Sequence, residues 1–109
     1  MTYAEALAWT YGLEAPVVLA AGWLWGCSLV RSGLAALAAS AVTHPIAWSI
    51  AVAMPADVYE SWGWHAIEAV VCGVEAVVLG RIMLLSACRA WPLSIAANGL
   101  SAVVGRYVF

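Results

Sequence analysis

Lysine is missing from this chain altogether, and charge of either sign is scarce: four arginines and six acidic residues make up 9% of 109 residues. A soluble domain carries about 25% charged residues. With 66% of its positions hydrophobic, a water-soluble chain this short could not hide its apolar surface, because small domains leave much of their surface exposed. The solvent for most of it is expected to be lipid. A net charge of −2 gives no electrostatic footprint for nucleic acid, which is therefore not expected as a partner. The three cysteines, Cys27, Cys72 and Cys88, fall in or beside apolar runs, unlike a secreted disulfide framework. The N-terminus "MTYAEALAW" lacks a basic stretch, so no cleaved signal peptide is expected. There is no internal repeat and no low-complexity segment.

What is present is long apolar runs. A bilayer core takes about 20 apolar residues per helix. Four runs approach that length: about Ala4 to Val30, Leu34 to Ala53, Trp64 to Leu85, and Pro92 to Phe109, the last barely long enough. Between them lie "RSG" (Arg31 to Gly33), "MPADVYESWG" (Met54 to Gly63) and "SACRAWP" (Ser86 to Pro92). Gly33 suits a helix end and Pro92 a helix start. Short connections predict an all-α, polytopic membrane protein: one domain over 1–109, an antiparallel bundle of four transmembrane helices. Arg31, Arg81 and Arg89 share one side of that bundle, while Arg106, Asp57 and Glu60 take the other. By the positive-inside rule this is a multi-pass plasma-membrane protein with both termini outside. Trp62, Trp64 and Trp91 fit interfacial belts.

Ionisable residues near mid-bilayer are rare, cost about 2.5–3.5 kcal/mol each on insertion scales, and usually face the bundle interior. Here each run brings one strong polar group to a similar depth: Glu14, His44, Glu75 and Asn98. In the third run His65, Glu68, Cys72 and Glu75 are spaced to lie on one helical stripe. Ser94, Asn98, Ser101 and Gly105 form another, and Ser40, Thr43 and His44 crowd a third. Stacked, these faces predict a polar seam of Glu14, His44, Glu68, Glu75 and Asn98. Pro16 and Pro45 cannot donate a backbone hydrogen bond, so each frees the carbonyl four residues earlier. The motifs "EAP" and "THP" thus predict kinks that aim a carboxylate and an imidazole, with Thr43 a candidate partner for the freed carbonyl. Each residue also has a plainer reading: His44 bonded to a neighbour, Asn98 and Ser101 as interhelical glue, Cys72 as filler.

These residues carry a resemblance. Glu14-x-Pro16-Val17, Thr43-His44-Pro45, Glu68 and Glu75 seven apart, and Asn98-x-x-Ser101-x-x-x-Gly105 together resemble a family of small, uncharacterised, four-helix bacterial integral membrane proteins. The resemblance covers nearly the whole chain. It implies a bacterial inner-membrane location and a site, and no reaction. A thinner likeness, to the CAAX-processing type of intramembrane protease, lies in "VEAVVLGR" with Glu75 and Arg81. The glutamate pair of that motif is absent and the spacing differs.

Three functions compete. The leading one binds or moves a cation: carboxylates, an imidazole and an amide suit a divalent metal ion, and a glutamate–histidine chain equally suits a proton relay. Next is a non-catalytic subunit of a larger membrane complex, or a homo-oligomer, with His44 ligating a haem or chlorin. Last is a metal-dependent intramembrane hydrolase, Glu75 its base and Glu14, His44 and Glu68 its ligands. The orientation is directly testable. A reporter active only in the cytoplasm, fused to Phe109, is expected to stay silent; strong activity would reverse the orientation.

Overall fold

The computed structural model describes the backbone of residues 2–108 and the side chains of residues 2–105. The chain is all-helical, with no strand among the described residues. Four long helices dominate: α1 (Tyr3–Leu24), α2 (Leu29–Ala53), α4 (Trp64–Met83) and α5 (Ala87–Val108). A short helix α3 (Ala56–Val58) and a π-helical stretch (Tyr59–Gly63) lead directly into α4. Packing pairs α1 with α2, α2 with α4, α4 with α5 and α5 with α1, which closes a ring. Each long helix spans about 30–38 Å at 1.5 Å per residue, and the bundle extends 44 × 25 × 21 Å.

The helix ends follow capping chemistry rather than the ends of apolar runs. Thr2 and Glu5 form a capping box: the Glu5 N–H donates to Thr2 Oγ1 (3.2 Å) and the Thr2 N–H to Glu5 Oε2 (2.8 Å). The expected first helix, 4–30, stops instead at Leu24. Gly26 takes the left-handed conformation (φ 78°), and the Cys27 N–H closes on the Gly22 carbonyl at 2.7 Å. Ser28 then caps α2 by accepting from the Arg31 N–H at 3.0 Å. "RSG" therefore lies inside α2, and Gly33 ends no helix. The expected linker 54–63 is mostly helical; only Met54 and Pro55 are not. The third helix closes near its expected end, with Leu84 left-handed (φ 57°) and the Leu85 N–H on the Gly80 carbonyl at 2.9 Å. The fourth begins at Ala87, not Pro92, because the Ser86 carbonyl accepts the Ala90 N–H at 2.9 Å. Pro92 sits inside α5 on its exposed side. Phe109, the end of the expected fourth run, lies outside the described residues.

Along its axis the bundle is layered. Arg31 and Arg81 line one depression at one end, where Arg89 also stacks on Trp25 at 5.3 Å. Next comes an apolar plug of small and medium side chains, among them Val18, Ala36, Leu79, Met83 and Leu93. Beyond it lie buried polar groups, and then a cavity at the opposite end. The outer surface is apolar: Trp23, Val30, Val52, Val77 and Leu84 are all more than half exposed. By length and composition, one described helix, Leu29–Ala53, is apolar enough to cross a membrane. The third long helix carries three charged residues, Glu68, Glu75 and Arg81.

Close approach of α1 and α2 near the plug requires Gly22. A Cβ there would collide with Ser32 Oγ and lie 2.9 Å from Ser32 Cβ. Gly22→Ala is expected to destabilise the bundle by about 1–3 kcal/mol through overpacking, and adding Ser32→Gly to restore part of it. Thermal unfolding in detergent measures both.

Candidate functional site

Two carboxylates occupy the middle of the bundle. Glu14 from α1 and Glu75 from α4 are each only 2% exposed. Their neighbours come from the flanking helices. Ser40 Oγ on α2 donates to Glu14 Oε2 at 3.2 Å, and Ser101 Oγ on α5 to Glu14 Oε1 at 3.1 Å. Thr43 Oγ1 on α2 lies 2.8 Å from Glu75 Oε1, and Asn98 Nδ2 on α5 donates to Glu75 Oε2 at 2.6 Å. The Asn98 amide is itself held, against the Ser94 carbonyl at 3.0 Å. Ser94 Oγ donates across to the Cys72 carbonyl at 2.6 Å. Among the described residues no buried side-chain polar atom lacks a partner, as burial demands.

The two carboxyl groups share one design. Each has a donor that keeps a hydrogen for it: Ser40 for Glu14, and for Glu75 the Asn98 amide, whose second hydrogen goes to the Ser94 carbonyl. Each also touches a hydroxyl with two acceptors in reach. Thr43 Oγ1 is 2.8 Å from both Glu75 Oε1 and the Ala39 carbonyl. Ser101 Oγ is 3.1 Å from Glu14 Oε1 and 3.2 Å from the Asn98 carbonyl. A hydroxyl has one proton to give and can also accept. If it donates to the carboxyl oxygen, that oxygen is bare. If it turns to the backbone carbonyl, the carboxyl group can supply a proton to the hydroxyl. Both arrangements satisfy every group without moving a heavy atom.

Above the pair, on the side away from the arginines, a cavity of about 410 Å³ opens. Thr43, Glu75, Asn98 and Ser101 reach its inner end, and Glu68, half-buried, lies on its wall. Among the described residues nothing hydrogen-bonds Glu68. His44 also borders the cavity but turns from the seam. Its Nε2 lies 3.3 Å from the Tyr3 carbonyl, an acceptor, so this nitrogen is the one carrying a proton. The ring packs 4.7 Å from Tyr3 and 5.9 Å from Trp48.

Of the expected seam, Glu14, Glu75 and Asn98 come together, with Thr43 and Ser101 bonded to them; Glu68 flanks them, and His44 stands apart. The two prolines do not interrupt their helices. Both lie on exposed faces, which leaves the inner faces to Glu14 and Thr43. Thr43 bonds the Ala39 carbonyl rather than the carbonyl of Ala41 freed by Pro45. No group of three or more His, Cys, Asp or Glu able to hold a metal ion forms among the described residues. Trp9, Thr10 and Tyr59 on the cavity wall were not expected at the site. Thr10 stands one turn before Glu14, a spacing that could have flagged it; Tyr59 lay in a supposed loop. The chain matches no protein-family model, no characterised protein and no solved structure.

Asn98 and Glu75 form the shortest bond of the pair, so their coupling is measurable. Asn98→Ala, Glu75→Gln and the double variant, unfolded in detergent, are expected to give an interaction energy of about 1 kcal/mol, near the middle of the range for membrane helices. A value near zero would mean that the bond carries no stability.

Proposed function

We propose that the protein is an integral membrane protein whose four long helices cross the bilayer, and that the Glu14–Glu75 pair takes up and releases protons through the cavity. Two features support the membrane reading. The outer surface carries many large apolar side chains, while Glu14, Glu75 and Asn98 are buried, a burial that is rare for such residues in soluble domains. Its long helices match an apolar thickness of about 30 Å. With the arginine end on the cytoplasmic side, the cavity and both termini face outward.

The observation that carries the proton reading is the pair of two-way hydroxyls, Thr43 and Ser101. Each lets its carboxyl group exist with or without a proton while leaving no buried group unpaired. Intramembrane carboxylates commonly serve proton relays. A divalent ion fits the same atoms less well. The oxygens it would bind already face hydroxyl and amide donors, and an ion of this kind prefers six or more oxygen ligands or a compact nitrogen and oxygen set.

Infrared difference spectroscopy of the reconstituted protein tests this. The carboxylic-acid C=O band is expected to grow as the external pH falls, and to lose distinct components in Glu75→Gln and Glu14→Gln. Thr43→Ser should keep the Glu75 component; Thr43→Val, which removes the two-way hydroxyl, should shift it. A band that does not respond to pH, or calorimetric heat with zinc, manganese or magnesium abolished by Glu75→Gln, would replace the proton with a metal ion.

A further inference from the structure

The cavity has more in it than a proton needs. Its volume of about 410 Å³ falls within the roughly 300–1,000 Å³ of small-molecule sites. Trp9 on α1, Trp48 on α2, and Tyr59 and Trp64 at the start of the third long helical segment line its outer part. Glu68 and Glu75 face its inner part, one turned from any hydrogen-bond partner among the described residues and the other at the floor. A π-helical stretch forms one side of the mouth, and such stretches are frequent at functional sites.

The chemistry of these walls excludes most occupants. An anion would meet Glu68 and Glu75. A neutral apolar molecule would strip water from Glu68 and give it nothing in return. A small inorganic cation, strongly hydrated, would exchange water for indole faces. An organic ammonium suits both halves: its charge is attracted to carboxylates and to aromatic faces, and its body to apolar walls.

We infer that the cavity is a binding site for a small organic monocation, an alkyl or aryl ammonium, with its charge at Glu68 and Glu75 and its apolar body against Trp9, Trp48 and Trp64. The inference deepens the proton reading, since both ligands use Glu75, and it names the class of molecule that the site admits.

The test uses the full chain purified in detergent. Benzyltrimethylammonium is titrated against it by calorimetry and tryptophan fluorescence, beside benzylsulfonate, a charge-reversed compound of similar size. Saturable binding of the cation alone is expected. Glu68→Gln should weaken it at least tenfold, and Trp48→Leu, which leaves every carboxylate in place, about tenfold, between the scales of an exposed and a desolvated cation–π contact. No saturable binding of the cation, equal binding of both compounds, or full affinity in folded Glu68→Gln and Trp48→Leu would overturn the inference. The infrared titration of the same sample separates the two readings. A pH-responsive carboxyl band without cation binding removes only the ligand. Cation binding with a flat band upholds the ligand and removes the proton.

Discussion

Two carboxyl groups hold the four long helices in register. Glu14 reaches from α1 to Ser40 on α2 and Ser101 on α5, and Glu75 from α4 to Thr43 on α2 and Asn98 on α5. No other polar contact in the described structure links so many elements. In a bundle with an alanine-rich core, dispersion between small side chains is modest per residue. Directional bonds therefore decide how the helices are rotated about their axes. Turning α4 by one residue, about 100°, would carry Glu75 out of reach of both partners and strand a carboxyl group in apolar surroundings, a heavy penalty.

The same constraint explains the small residues. Ala35, Ala36 and Ala39 on α2, Ala15 on α1 and Ala97 on α5 are all buried. Side chains as short as Thr, Ser and Asn can meet a glutamate only if the helix backbones approach closely, and small residues permit that approach. Gly22 against Ser32 is the tightest instance. Many of the large apolar side chains lie on the outer surface, Trp23, Leu24, Leu29 and Val30 near one end, while Leu79, Met83 and Leu93 fill the plug.

Much of this was legible in the sequence. Helix number follows from apolar run length, and the inward placement of Glu75, Asn98 and Ser101 from 3.6-residue spacing, although His65, on the same expected stripe as Glu75, is exposed. Helix ends were less legible. Gly26 and Ser28, the residues that end α1 and start α2, stand inside an apolar stretch and were outweighed by it. Ser86 likewise starts α5 ahead of Pro92, because proline at the second turn loses one hydrogen bond yet does not prevent a helix from beginning earlier. His44 failed for a different reason. Spacing places a residue on a helix but does not fix its rotamer, and the carbonyl of Tyr3, at the far end of the chain's first turn, drew the imidazole aside.

The layering of the bundle has an electrical consequence. The polar groups are reached from the cavity side, and the alanine and leucine plug separates them from the arginine end. In a bilayer, a charge moving from the cavity mouth to Glu75 crosses part of the transmembrane field without crossing all of it. A full crossing is worth about 2.3 kcal/mol per charge at 100 mV, so on the proposed reading occupancy of the seam would depend on voltage as well as on concentration. On the proposed reading such a site would behave as a capacitor plate facing one compartment, charging and discharging with membrane potential.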